Sequence, residues 1–326
     1  MSTLTSDKII DYISRNGQAS GKELTDYLGS ISGRGIRKQL KNLTEKNILQ
    51  KIGRPPKVYY LLASNQKTAD NIHIDQKVLD VINRRYLYIT PTGDAKEGWD
   101  GFLIWCEKTE QNPVKTANEY ISTIKKFDKF KKNDLIDGMP KMNNTFKAVF
   151  LDKLFYLDFY SIERFGKTKL GQTLLYAKQS QNKSLINKLI DEIRPQVIKI
   201  IEKHHIDGVL FVPPTVKREV QFMKELEVKL HLPIRTLSVT KIKTEIIVPQ
   251  KTLSKLEDRI ENAKKTIIVE DKKEYKNILL IDDAVGSGAT LNETAKQIKS
   301  RHLASNNIIG LAITGSFKGF DVISEV

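Results

Sequence analysis

The chain of 326 residues holds one cysteine, Cys106. It cannot close an internal disulfide, and it argues against a zinc site built on thiolates. Histidine is nearly as scarce: there are five, and His204 and His205 are neighbours rather than one helical turn apart. Metal-ligand spacing is therefore missing. No run approaches the ~20 consecutive apolar residues that a membrane-spanning helix needs. The start, Met1 to Ile9, is polar and lacks the apolar stretch of a secretory leader, so the expectation is a cytoplasmic protein with no membrane partner. Internal repeats and long low-complexity tracts are absent as well.

Acidic residues are in deficit. Asp and Glu number 39 against 54 Lys and Arg, a net charge of +15. Such a field attracts phosphates, on nucleic acid or on a small metabolite. A lysine-rich surface without any specific partner carries the same sum, so the local distribution of charge is more informative. The apolar share of 40% suffices for ordinary cores, and the length allows two domains or one with elaborations.

Three stretches are expected: 1–64, 65–144 and 145–326. In the first, Ile9, Ile10 and Ile13 share helical spacing, and Gly17 stops the run. Ser20 with Glu23 reads as a capping box that opens a helix carrying Leu24 and Leu28. Ser32 opens a third helix with Ile36, Leu40 and Leu43 on one face. Ile48 to Ile52, the turn Gly53-Arg54-Pro55-Pro56-Lys57, and Val58 to Leu62 read as a hairpin. This order resembles a winged helix-turn-helix domain. From Arg34 to Lys57 there are eight basic residues and one acid, Glu45. Arg34, Arg37, Lys38 and Lys41 lie on the third helix, and Lys51, Arg54 and Lys57 decorate the hairpin. In a DNA-binding winged helix the third helix enters the major groove and the wing touches the adjacent backbone. The resemblance therefore implies a nucleic-acid partner, with a protein partner or a dimerisation role as the alternative.

The second stretch is a polar linker, Gln66 to Ile74, followed by a small region. Arg85 to Ile89 is expected as a strand and Val114 to Phe130 as a helix. Trp99, Phe102 and Trp105 are expected in a core, as are Tyr156, Phe159, Tyr160 and Phe165. Phe165-Gly166-Lys167-Thr168 ends like a phosphate loop but lacks the upstream glycine, so it carries no weight.

In the third stretch strands alternate with helices, which indicates a parallel sheet. Ser184 to Lys203 is helical, with Pro195 starting a new helix. Gly208 to Val212 is a buried strand, Val216 to Leu230 a helix and Ile234 to Val239 a strand. Asn277 to Ile281 is a strand, Thr290 to Leu303 a helix and Ile308 to Thr314 a strand.

After Ile281 come two carboxylates, Asp282 and Asp283, then Ala284-Val285-Gly286-Ser287-Gly288-Ala289-Thr290 at a helix start. Glycines let a backbone approach a phosphate closely. Amides at a helix N-terminus donate to phosphate oxygens. Ser287 and Thr290 add hydroxyls, and the acids accept from vicinal ribose hydroxyls. The C-terminal edge of a parallel sheet is where open α/β folds bind ligands.

The segment ILLIDDAVGSGAT resembles the phosphoribosyl pyrophosphate signature of type I phosphoribosyltransferases. Phe211-Val212-Pro213-Pro214-Thr215-Val216-Lys217-Arg218, then Thr244, Pro249-Gln250, Leu253 and Arg259-Ile260-Glu261-Asn262, resemble the ComF-like branch. The likeness spans about 146–315. It departs at Gly286-Ser287, where many members have Thr-Thr, and at Arg218 to Phe222, which lacks an Arg-Gly-Phe-Asn pattern. The resemblance implies an α/β fold: a parallel-sheet type I phosphoribosyltransferase domain, preceded by the winged helix and a small intervening region. It implies that Asp282 and Asp283 hold ribose hydroxyls, that Val285 to Thr290 wrap a 5-phosphate, and that Val212 to Lys217 form a pyrophosphate loop. Lys243 or Lys251, in a hood from about Lys241 to Arg259, would neutralise leaving pyrophosphate. Magnesium would bridge oxygens of the ligand, with no direct protein ligand. The ligand would be phosphoribosyl pyrophosphate or a ribose 5-phosphate nucleotide, and a homo-oligomer is compatible with the family. Three roles follow: a phosphoribosyltransferase for an unknown acceptor, a DNA-binding regulator with a silent pocket, or a subunit in DNA uptake or retron-type antiphage defence.

Overall fold

A computed structural model of the chain describes residues 5–63, 74–216, 218–242 and 244–317. Lys217, Lys243 and all of the expected linker except Ile74 lie outside the described residues. Backbone packing divides the chain into two compact units, Met1–Ile74 with Pro91–Gly93, and Asp75–Thr90 with Asp94–Val326.

The N-terminal unit contains α1 (Thr5–Asn16), β1 (Ala19–Ser20), α2 (Gly21–Leu28), α3 (Gly33–Glu45), β2 (Leu49–Arg54) and β3 (Lys57–Leu62). Its core is made by the apolar positions spaced at helical intervals: Ile9 and Ile13, Leu24, then Ile36, Leu40 and Leu43. The Ser20–Glu23 capping box forms in both directions, with Ser20 N–H to Glu23 Oε2 at 2.6 Å and Glu23 N–H to Ser20 Oγ at 3.2 Å. Ser32 Oγ caps α3 through Gly35 N–H. The antiparallel sheet has the order β1-β3-β2, so the hairpin gains a short third strand that the sequence did not announce.

The second unit begins with α4 (Gln76–Arg85), the hairpin β4 (Leu87–Ile89) and β5 (Ala95–Glu97), then α5 (Gly98–Lys108) and α6 (Pro113–Asp128). Arg85 closes α4 rather than opening a strand, because it is held by a buried-side ion pair with Asp128. Phe102 is fully buried, ringed by Tyr86, Trp99, Trp105 and Tyr120. Tyr156, Phe159, Tyr160 and Phe165 are buried too.

A seven-stranded, mostly parallel sheet follows, flanked by helices. Its strands are β6 (Lys131–Lys132), β7 (Leu135–Asp137), β8 (Lys153–Phe159), β9 (Gly208–Phe211), β10 (Arg235–Thr236), β13 (Tyr275–Val285) and β14 (Ala304–Gly315). The order is β10-β9-β13-β14-β8-β7-β6. The first five run parallel, while β7 and β6 close the far edge antiparallel. Around the sheet lie α7 (Met139–Thr145), α8 (Lys169–Ser180), α9 (Lys183–Lys203), α10 (Phe222–Leu230) and α12 (Ala289–Ser300). A two-stranded ribbon, β11 (Val239–Lys241) with β12 (Ile267–Val269), carries α11 (Leu256–Thr266) between its strands.

Three further expectations are corrected. Pro195 does not start a helix but lies inside α9. Seven buried apolar side chains along that helix, at about 1.5–3 kcal/mol each, outweigh the roughly 3 kcal/mol that an interior proline costs. The helix expected from Val216 begins only at Phe222. The intervening chain is fixed instead by its bonds to the end of α8: Arg218 Nη1 donates to Lys178 O, and Val220 N–H donates to Gln181 Oε1. The strand expected over Ile234 to Val239 is two pieces, β10 in the main sheet and β11 in the ribbon. Among the described residues no helix is long and apolar enough to cross a membrane.

Candidate functional site

From β9 the chain turns to β10 on one side, while from β13 it turns to β14 on the other. The strand order therefore reverses between β9 and β13, which pair in parallel from Ile278–Gly208 to Ile281–Phe211. A crevice opens beyond the carboxyl ends of two such strands, because their outgoing loops diverge. Here a cavity of about 250 Å³ occupies that place. Val212 to Val216 forms one wall and Asp282 to Thr290 the other. The ribbon and the segment around Gln250 cover it with Lys241, Gln250, Lys251 and Arg259.

The buried apolar run of β13 is the reason the two acids come to rest here. Ile278 to Ile281 pair on both edges, but beyond Ile281 the strand pairs with β14 alone, so the two acids stand beside the end of β9. Asp283 N–H donates to Asp282 Oδ1 at 2.8 Å, and Lys178 Nζ lies 2.7 Å from Asp283 Oδ2. These contacts engage Asp282 Oδ1 and Asp283 Oδ2, and both residues line the cavity. Burial at the cavity floor, then the neighbouring Asp283 charge, hold the Asp282 carboxyl well above the usual carboxylate range. Asp283 N–H, Lys178 and Lys241 act in the opposite direction. Asp282 keeps some accessible surface, which opens to the cavity, so its desolvation comes from the surrounding walls and not from close packing alone.

The loop after the acids is built for a close approach. Gly288 has φ +86°, a conformation that favours glycine. A methyl group there would run into Met142 Sδ and lie 3.2 Å from Met142 Cε. Met142 is a fully buried residue of α7, so α7 supports the loop from behind. Ser287 is buried, and its Oγ accepts from Ala289 N–H at 3.3 Å, leaving its own hydrogen to donate. The first turn of α12 starts at Ala289 with no side-chain cap. Gly288, Ala289 and Thr290, at that start, line the cavity.

Cations surround the acids. Lys178, Arg218, Lys241, Lys251 and Arg259 line the cavity against Asp282 and Asp283, an excess of three positive charges among the described lining residues. Burial pulls the Lys241 ammonium down to about 8, opposed by the charge of Asp282. Lys241 Nζ donates to Thr266 Oγ1 at 2.6 Å, and Thr266 passes its own hydrogen to Asn262 O. Arg259 is 4% exposed, and its Nε donates to Leu253 O at 2.7 Å. Its Nη1 lies 3.5 Å from where a methyl on Gly286 would stand. Gln250 Nε2 bonds both Arg259 O and Asn262 Oδ1, so Gln250, Arg259 and Asn262 lock the covering segment together.

The cavity thus gathers Asp282 to Thr290, Pro213, Pro214, Thr215, Val216 and Lys251. Lys178 and Lys241 were not among the expected site residues, and Arg259 was matched only as part of a motif. Only Arg259 carried a local signal, its place in the Arg-Ile-Glu-Asn match. Among the described residues no cluster of three or more His, Cys, Asp or Glu side chains could hold a metal ion. In the N-terminal unit Arg34, Arg37, Lys38 and Lys41 on α3, with Lys51, Arg54 and Lys57 on the β2–β3 hairpin, are all exposed. Among them Lys41 makes a solvent-facing ion pair with Glu45 at 3.7 Å. Thr168, at the end of the phosphate-loop-like segment, caps α8 instead.

Compared with models of known protein families, the chain matches none, and no curated protein matches it.

Proposed function

We propose that the second unit is a type I phosphoribosyltransferase domain of the ComF-like kind that binds phosphoribosyl pyrophosphate and transfers ribose 5-phosphate to an acceptor. The observation that carries this reading is the pairing of two adjacent carboxylates with a glycine loop and a helix start, all lining one cavity with surplus positive charge. The oxygens suit two adjacent hydroxyls, the loop and amides suit a monophosphate, and the surplus cations suit a pyrophosphate. Departure of pyrophosphate from the anomeric carbon leaves an oxocarbenium-like centre and a growing negative charge. Lys241 and Arg259, each held by a hydrogen bond before the reaction, stabilise that charge together with Lys251. Lys243 and Lys217 would add to it from outside the described residues.

Magnesium fits this donor set as an ion carried by the ligand, since Mg²⁺ is held by phosphate oxygens with at most one or two carboxylates. When bound it supplies charge neutralisation on the pyrophosphate. The chain's own residues orient the ribose through Asp282 and Asp283 and hold the phosphates through the two loops.

The N-terminal unit supports a coupled role. We read it as a winged helix that binds nucleic acid, on the strength of seven exposed basic residues on α3 and the hairpin. With a silent pocket the same architecture would be a DNA-binding regulator sensing a ribose phosphate. A place in DNA uptake or retron-type antiphage defence rests on the domain combination alone. Calorimetric titration with phosphoribosyl pyrophosphate and Mg²⁺ tests the pocket. Asp282→Asn with Asp283→Asn is expected to abolish binding while the N-terminal unit stays folded; unchanged affinity refutes the assignment. Pyrophosphate release with a panel of bases and nucleotides then separates transferase from sensor.

A further inference from the structure

The two carboxylates at the end of β13 are not equivalent, and a residue outside their loop makes the difference. Lys178 lies in the last turn of α8, with its Nζ 2.7 Å from Asp283 Oδ2; the two side chains are 26% and 19% exposed. Its backbone is tied down as well, since Lys178 O accepts from Arg218 Nη1 at 2.7 Å. Three residues on, Gln181 Oε1 accepts from Val220 N–H at 2.8 Å. The end of α8 therefore grips the chain that leaves β9 and, through one ammonium, the acid that ends β13. On the neighbouring acid, Asp282 Oδ1 is taken by Asp283 N–H. One oxygen of each carboxylate is thus engaged by these contacts, which leaves the other oxygen of each, on residues that line the cavity, as the acceptor for a ligand.

We propose that Lys178 is a positioning residue that fixes these two acceptor oxygens for a cis-vicinal diol, one hydroxyl to each carboxylate, and so makes the site selective for the ribo configuration. This rests on reading the pocket as a pentose phosphate site. Without the ammonium, Asp283 loses its 2.7 Å ion pair, and the repulsion between the two adjacent carboxyls is less offset. The pair relieves that repulsion by rotating apart or by sharing a proton. Either outcome removes one of the two fixed acceptors.

Three probes separate the diol from the phosphate: ribose 5-phosphate, 2-deoxyribose 5-phosphate, which lacks one hydroxyl, and arabinose 5-phosphate, in which that hydroxyl is inverted. An unmade hydrogen bond to a charged acceptor costs about tenfold to a hundredfold in affinity. By calorimetry on the full chain, the wild type is expected to prefer ribose 5-phosphate over both others by that factor. Lys178→Gln is expected to lose most of the preference, and Lys178→Arg to keep it. Lys178→Met reads the same ratio should the glutamine variant fail to fold, which thermal unfolding of each variant shows. A glutamine or methionine variant that binds ribose 5-phosphate with the wild-type preference overturns the role of Lys178 alone. A wild type that binds all three sugars equally overturns the diol selectivity and, with it, the role of Lys178. A wild type that binds none of them overturns the pocket reading and the inference with it.

Discussion

Placing a methyl group at Gly288 tests whether the loop between β13 and α12, proposed to hold a phosphate, depends on glycine for physical reasons. Two costs are legible. The backbone there has φ +86°, which an L-residue adopts at a cost of about 1–2 kcal/mol. The new methyl also runs into Met142, and overpacking a buried site costs about 1–3 kcal/mol. Gly288→Ala should therefore destabilise the second unit by roughly 2–5 kcal/mol. For a unit of this size that is a fall of roughly 4–20 °C in thermal midpoint. Met142→Ala alone opens a cavity behind the loop and costs about 2–5 kcal/mol. In the double variant the added methyl enters that cavity, so the two changes couple favourably by about 1–3 kcal/mol, the steric part only. Scanning calorimetry of the four proteins measures the coupling, and titration with phosphoribosyl pyrophosphate reads the loop. Binding should fall in Gly288→Ala and recover only in part in the double variant, because the φ cost remains. Additive stabilities with unchanged binding would refute the reasoning.

Asp282→Asn should exchange stability for binding. Its folded carboxyl titrates above its unfolded value of 3.8, so its stabilising contribution is present below that pH and is lost as pH rises through the folded value. The asparagine variant should thus be more stable than wild type above neutral pH, with the gap shrinking in acid, while its ligand affinity drops; a variant less stable at pH 9 contradicts this. Lys241, brought down to about 8, should make the affinity for pyrophosphate fall between roughly pH 7 and 9, since the anion favours its charged form. In Lys241→Arg that dependence should flatten, as judged by titrations across the range. On the N-terminal unit, changing Arg34, Lys38, Lys41 and Arg54 to alanine should reduce the slope of log affinity against log salt by up to about 4. Fluorescence anisotropy with a labelled duplex measures this, and an unchanged slope removes these residues from the interface.

Much of the architecture was written in local pattern. The helical spacing of Ile9, Ile13, Leu24, Ile36, Leu40 and Leu43 builds one core without reference to distant residues. The apolar run before Asp282 and Asp283 specifies a buried strand but not its end: β13 continues through both acids to Val285, because β14 still pairs with it there. Gly288 marks the turn that begins α12. Elsewhere local pattern misled. Pro195 is a helix breaker by local rule, but the burial of α9 against the sheet overrides it. Basic Arg218 suggested a helix, yet its guanidinium is claimed by Lys178 O, more than one element away.

The acids and their loop were therefore determined by sequence, since strand, acids, glycines and helix are contiguous and their chemistry is short-range. Their cations were not. Lys178 and Lys241 come from elements about 105 and 41 residues upstream of Asp283 and Asp282, and nothing in their local sequence distinguishes them from the other lysines of a strongly basic chain. Only the crossing of the chain between β9 and β13 brings them to one crevice. Their state is a tertiary property too, because the depressed Lys241 ammonium and the raised Asp282 carboxyl arise from burial among walls that no single segment supplies.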